Sequence, residues 1–211
     1  MNILVAGASG TTGQLIVQLI SKKGDTPIAL LRNPNKEVAF PNNTTIREGD
    51  LEGDLKGVMD NIDAVFFAAG SGSSTGKDKT LTVDQEGAKK LIDRAKEAGI
   101  KRFVMLSSKG AEAPDEQPEG IQHYMHAKHN ADLYLQASGL NYVIVRPVRL
   151  NNEPAIGKVE ASDQVNGEGE ITRADVANFM VHALYSDSTL NKVVELTQGD
   201  VPIAEAIRQF S

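Results

Sequence analysis

Glycine recurs at every third position in Gly7-Ala8-Ser9-Gly10-Thr11-Thr12-Gly13, directly after the apolar run Ile3–Ala6 and at the start of an amphipathic stretch. That is the pattern of a phosphate-binding turn between a strand and a helix. Gly7 permits the tight turn, Gly10 lets the backbone approach a pyrophosphate, and Gly13 lets the helix pack close to the strand. The free N–H groups of Ser9, Thr11, Thr12 and the rest of the helix start then point at the phosphates. A second group of residues could move a proton. Ser107 and Ser108 end another apolar run, and Tyr124 lies four residues before Lys128, so both share one helix face. A tyrosine with pKa near 10 is a poor proton shuttle at neutral pH. A nearby ammonium and a positive nicotinamide favour the phenolate and lower that pKa. Lys128 could also hold the nicotinamide ribose, and a strand-end serine could hydrogen-bond a substrate carbonyl. Together these roles suffice for hydride transfer with a coupled proton.

The cofactor's ribose is usually met by an acid about 20 residues past the glycine motif when its 2'-hydroxyl is free. Here the second apolar run ends Leu31-Arg32-Asn33-Pro34-Asn35-Lys36, without an acid. Arg32 is placed to clamp a 2'-phosphate, so NADP(H) is expected in preference to NAD(H). Asp50, after the third run, could accept a bond from the adenine amino group.

These residues need elements to position them. Apolar runs predict strands over Ile3–Ala6, Ile28–Leu31, Thr45–Glu48, Ala64–Ala68, Arg102–Leu106, Tyr142–Val145 and Val193–Thr197. Several lack polar alternation, as strands buried on both faces of a parallel sheet do. Helical spacing predicts helices over 11–22, 82–98, 123–138, 173–185 and about 202–210, the last starting at Pro202. Thr172 with Asp175 three positions on forms an N-cap pattern for the fourth. End-to-end alternation means a doubly wound α/β fold, a single domain over 1–211. Three loops follow strands: the Gly/Ser-rich Ser71–Thr80, the acidic Gly110–Gln122, and Leu150–Ile171, which could hold a short hairpin. They should gather at the carboxyl edge of the sheet, where such folds bind ligands.

Composition removes other classes. There are no cysteines, so thiol catalysis, disulfide scaffolds and zinc-thiolate sites are excluded. The net charge of −6 offers no basic face for nucleic acid or anionic lipid. No apolar run approaches the roughly 18 residues of a membrane span, and no targeting segment is visible, so a cytoplasmic location is expected. His123, His126 and His129 step about 300° per interval around a helix, so one metal does not easily gather all three, and no acid cluster supports them. They are read as surface residues, with His126 or His129 near a pocket mouth. No metal is expected. Met105 and Met125 read as packing residues, and the acidic stretch 112–119 as a solvated lid.

The glycine turn, Gly49-Asp50-Leu51, Ala68-Ala69-Gly70, Arg102 to Gly110, Tyr124 with Lys128, Ala137 to Pro147 and Thr172 to Ala177 together resemble the atypical short-chain dehydrogenases/reductases. These are small NAD(P)H-binding, NAD-dependent epimerase/dehydratase-like proteins, and the resemblance spans essentially the whole chain. It implies a Rossmann fold and cofactor contacts from Leu51, from Ala68, Ala69 and Gly70 along the adenosine ribose, from Ser107, and from Pro147, Val148 and Arg149 along the nicotinamide. By analogy with the family's serine pair, Ser108 rather than Ser107 would be catalytic. The implied activity is an NADP(H)-dependent oxidoreductase of a small carbonyl or conjugated substrate. Residues 150–171 and the C-terminal segment would build a small substrate region. Only about 60 residues follow Pro147, too few for the large substrate domain of sugar-nucleotide epimerases. The alternatives are an NADP(H)-sensing regulator acting on a protein partner and an epimerase/dehydratase with bound NAD(P).

Overall fold

The computed structural model describes residues 1–35, 37–70, 76–166 and 169–210. Its centre is a run of seven parallel strands: β1 (Asn2–Ala6), β2 (Thr26–Leu31), β3 (Thr45–Glu48), β4 (Ala64–Phe67), β5 (Arg102–Leu106), β6 (Tyr142–Pro147) and β10 (Lys192–Gln198). β8 (Lys158–Ser162) adds antiparallel to β10, and β11 (Val201–Pro202) to β8. The full order is β11-β8-β10-β6-β5-β4-β1-β2-β3. The chain therefore winds one way through β1, β2 and β3 and the other way from β4 onward. The switch falls between β1 and β4, where such sheets open a crevice at the strands' carboxyl ends.

Alternate side chains along each strand feed two separate cores. Ile3, Val5 and Phe66 pack with Ile16, Val17 and Ile20 of helix α1 (Thr11–Lys22) and with Val176, Phe179 and Met180 of α5 (Arg173–Leu184). Leu4, Ala6, Val65 and Phe67 pack on the opposite face with Leu91 and Ile92 of α3 (Ala88–Glu97) and with Ala131 and Leu135 of α4 (Glu119–Ala137). Burial on both faces is why these strands read as continuous apolar runs.

Several expectations need correction. β4 ends at Phe67, and β6 runs on to Pro147. The acidic loop is shorter than expected, because α4 starts at Glu119 with Pro118 as N-cap. Proline fits there because a cap residue needs no helical N–H bond. That loop is also partly packed, with Ala111 and Pro114 buried. The helix expected over 82–98 is a continuous path from α2 (Lys77–Lys79) through a π-helical stretch, Thr80–Gly87, into α3. A π-turn shifts the helical phase and turns Asp84 inward, where it is 1% exposed. The last helix, α6 (Ile203–Arg208), uses Pro202 as its N-cap. Ser71–Thr75 of the Gly/Ser-rich loop, Gly167 of the third loop, and Lys36 lie outside the described residues.

Among the described residues of 150–171 no hairpin forms. Instead β7 (Arg149–Asn151) pairs in parallel with β9 (Glu170–Thr172), while β8 joins the main sheet. The expected cap organises this region. Thr172 accepts the Asp175 N–H, and the buried Asp175 carboxylate accepts from Ile156 N–H at 3.0 Å, Gly157 N–H at 2.8 Å and the Thr172 hydroxyl at 2.8 Å.

The glycine turn is fixed by packing. A Cβ on Gly13 would lie 2.1 Å from the Gly7 carbonyl oxygen, whereas one on Gly10 would meet that oxygen at 3.3 Å. Gly13→Ala should therefore cost on the order of 3 kcal/mol of stability in urea unfolding. Gly10→Ala should stay within about 1 kcal/mol of wild type. Equal midpoints for Gly13→Ala and wild type would contradict this account of the turn.

Candidate active site

Among the described residues, no side chain caps the donors of the β1–α1 turn. Gly7 adopts φ +85°, the Gly10 N–H closes onto the Gly7 carbonyl at 3.0 Å, and Gly10 caps α1 without any side-chain hydrogen bond. Thr11 and Thr12 open the helix, Thr11 exposed and Thr12 buried. A cleft of about 200 Å³ lies beside this turn, with Gly7, Ser9, Arg32, Asp50, Leu51 and Ala69 among its lining. The turn fits a pyrophosphate: it offers main-chain donors, glycines without side chains beside the cleft, and the positive end of a twelve-residue helix.

Arg32 is largely exposed at this cleft, with Nη1 3.8 Å from the Glu52 carboxylate. Glu52 is an acid that the strand-end reading does not anticipate, because it arrives from the loop after β3. Its oxygens are already engaged, by Lys79 at 2.6 and 2.8 Å and by the Thr82 hydroxyl at 2.7 Å, which hold its pKa below the usual carboxylate value. Asp50 turns Oδ1 back onto the Glu52 N–H at 3.0 Å, so at least half of its carboxylate serves the local turn. Ala68 extends the sheet by donating its N–H to the Ala6 carbonyl. Gly70 follows at the point where a Cβ would come within 3.2 Å of Asp84 Oδ1.

A larger cleft, about 990 Å³, opens at the ends of β5 and β6. Ser107, Ser108, Tyr124, Pro147, Val148 and Arg149 all contribute to its lining. The two serines differ. Ser107 is buried and donates to Asp132 Oδ2 at 2.8 Å, whereas Ser108 is half-buried and its hydroxyl makes only a 3.2 Å bond to the Lys109 carbonyl. Lys128 lies beneath the tyrosine, its Nζ 5.6 Å from the Tyr124 ring centre. It is 4% exposed, pairs with Asp84 Oδ1 at 3.1 Å and donates to the Leu106 carbonyl at 3.3 Å. Of the three ammonium donors, two are thus committed to the protein. Burial alone would lower the lysine pKa, but the phenolic oxygen of Tyr124 and the carboxylate of Asp84 outweigh it and raise it above its ordinary value.

Two buried acids of this site escape the motif-based reading. Asp84 comes from the π-helical stretch, where the usual helical period fails. Asp132 receives Ser107 and the Arg146 Nε at 2.9 Å, and burial pushes its carboxyl pKa up despite those partners. Its signal was present in the sequence: Tyr124, Lys128 and Asp132 recur every four residues on one helix face. The three histidines lie at the protein surface with intermediate exposure, and the His126 side chain is 45% exposed. His126 meets Asp115 at 3.0 Å, His129 meets the Ala111 carbonyl at 2.7 Å, and neither is among the residues lining the larger cleft. No group of three His, Cys, Asp or Glu side chains among the described residues could hold a metal ion. Met105 is core, while Met125 is both buried and part of the cleft wall. No helix among the described residues is long and apolar enough to cross a membrane.

The strand order, the glycine turn and the clefts at the carboxyl edge define a Rossmann-type dinucleotide-binding protein. The chain belongs to the NAD(P)H-binding family, whose model matches residues 7–187. It is 40% identical over 215 residues to the uncharacterized sugar epimerase YhfK of Bacillus subtilis (strain 168), covering 100% of both chains. Among solved structures, a Bacillus halodurans protein described as an NAD-dependent epimerase/dehydratase superposes with TM-score 0.95 at 40% identity, over 99% of each chain. The oxidoreductase ylbE from Lactococcus lactis superposes with TM-score 0.89 at 28% identity, over 99% of this chain and 96% of that one.

The Lys128–Asp84 pair yields a prediction about stability. Removing one partner leaves a buried charge uncompensated, so Asp84→Ala should cost about 3–5 kcal/mol in chemical denaturation. Because the folded lysine pKa is raised above its ordinary value of 10.5, the pair's contribution is complete below that pH and is lost only above it. The deficit of Asp84→Ala should therefore be full near about pH 7 and shrink toward about pH 10, because the buried lysine without its partner gives up its proton at lower pH than the paired one. A deficit that stays constant across this range would show that Asp84 does not keep Lys128 charged.

Proposed function

We propose that this protein is an NADP(H)-dependent oxidoreductase acting on a small carbonyl or conjugated substrate through Ser108, Tyr124 and Lys128. One observation carries the reading: Ser108 and Tyr124 line one cleft, and the Lys128 ammonium is fixed below the phenol. The glycine turn would hold the pyrophosphate, with Asp50, Leu51 and Ala68–Gly70 along the adenosine and Pro147–Arg149 along the nicotinamide. When bound, the cofactor supplies or accepts a hydride. Tyr124 Oη holds the proton that the substrate oxygen gains or loses. Lys128, kept charged by Asp84, stabilises the phenolate left after proton donation and offers its remaining N–H to the ribose. Ser108 donates to the substrate oxygen, while Ser107 stays bound to Asp132 and stiffens the end of β5. Residues 150–171 supply Leu150, Gly169 and Glu170 to the cleft wall, which supports their substrate role. No residue beyond α5 is among that lining, so the C-terminal segment acts by backing β8.

The preference for NADP(H) rests on Arg32 at the smaller cleft and on the prior commitment of the Glu52 carboxylate to Lys79 and Thr82. An epimerase with retained cofactor is the second reading, favoured by the name of the 40% identical relative. It differs in leaving free NADPH unconsumed over many turnovers.

Tyr124→Phe removes one oxygen and little volume. Turnover in an NADPH-oxidation assay over a carbonyl and quinone panel should fall by roughly 10² to 10⁴, with cofactor affinity unchanged. Full activity in this variant would eliminate the tyrosine as proton donor. Arg32→Ala should weaken NADPH binding about tenfold and leave NADH binding nearly as it was. Equal losses for both cofactors in a fluorescence titration would remove the 2'-phosphate assignment.

A further inference from the structure

The wall of the larger cleft carries more charge than hydride transfer uses. Lys109, Arg149 and Arg173 face it against two acids, Glu112 and Glu170, in a chain whose net charge is −6. Most of these groups have opposite-charge partners. Glu170 lies 3.4 Å from Arg149 Nε and also accepts from Asn151. Glu112 accepts the Gly110 N–H and lies 3.6 Å from Arg146. Lys109 donates to the Val165 carbonyl at 2.6 Å and lies 3.9 Å from the buried Glu195.

Arg173 is different. Its Nη1 donates to Asn152 Oδ1 at 2.9 Å and the Leu150 carbonyl at 3.4 Å, both neutral oxygens. Among the described residues it forms no ion pair. These bonds fix the guanidinium at the cleft wall, keep its charge unneutralised and leave further N–H donors of the planar fork available. Arg173 is also the first residue of α5, where the peptide dipoles present their positive end and a cation is disfavoured. The nearby acid does not pair with it, because Asp175 directs both oxygens to Ile156, Gly157 and Thr172.

We propose that Arg173 seats an anionic oxygen group of the substrate, so that the substrate class is a carbonyl compound bearing a carboxylate or a phosphate. The carbonyl end would lie at Ser108 and Tyr124, and the anionic end at the guanidinium fork, which matches either anion with two parallel hydrogen bonds. This inference rests on reading the same cleft as the site of hydride transfer.

The test compares three probes of one shape, 4-carboxybenzaldehyde, 4-formylphenyl phosphate and the neutral 4-formylbenzamide, titrated calorimetrically into the NADP⁺-saturated protein. At least one anionic probe should bind about tenfold or more tightly than the amide, and which one does so identifies the anion. Arg173→Gln should bring all three to parity at an unchanged melting midpoint, and Arg173→Lys should retain part of the preference. Equal affinities in the wild type, no binding of any probe, or a preference that survives Arg173→Gln would overturn the proposal. NADPH oxidation with the same aldehydes is read separately. A binding preference without turnover removes the hydride-transfer reading and keeps the anion seat. Turnover of all three at equal affinity removes the seat and keeps the reading.

Discussion

Two backbone contacts at the β1–α1 turn govern the rest of the molecule. Gly7 lies so close to the end of β4 that a Cβ there would sit 2.5 Å from the Ala69 nitrogen, and Gly13 rests on Gly7 at a distance that admits no side chain. The first contact presses the turn against the neighbouring strand across the switch in winding direction. The second draws α1 down onto the sheet, where Ile16, Val17 and Ile20 fill one core. The crevice is what remains above these contacts, so the same geometry that closes the core exposes the helix start to a ligand.

Buried charge is concentrated along the carboxyl edge. Asp84 with Lys128, Asp132 with Arg146, and Glu195 close to Lys109 are all mostly or fully buried acids facing bases near the ends of β4, β5 and β6. Such pairs add little net stability compared with apolar packing, and breaking one is costly. Their effect here is positional. Ser107 is held through Asp132, and Lys128 through Asp84 and the Leu106 carbonyl, so the end of β5 and one face of α4 are fixed to each other. The tyrosine projects from that fixed face.

The features legible in the sequence were local ones. The glycine spacing, the Tyr124–Lys128 interval and the Thr172–Asp175 cap each span seven residues or fewer, and short-range geometry determines them. The parallel strands were legible because burial on both faces leaves unbroken apolar runs. What escaped depends on pairing over long separations. β8 is completed by β10, more than thirty residues later, and nothing within 150–171 records this. Asp84 was hidden by the π-helical stretch, since a period of 3.6 mis-assigns the face of every residue inside it. Glu52 reaches the Arg32 cleft from another strand's loop, so inspecting the end of β2 alone could not reveal an acid there.

The three hydrogen bonds on Asp175 also bear on how this scaffold could diversify. By gripping Ile156 and Gly157 directly before β8, a single carboxylate divides one long excursion into shorter spans with separate closures. Each short span has a smaller loop-closure entropy than the undivided segment. Insertions or replacements on the cleft side of the tether can then accumulate without disturbing β8 or the sheet edge it covers. A scaffold arranged this way can exchange one substrate wall for another while the dinucleotide half of the molecule stays as it is.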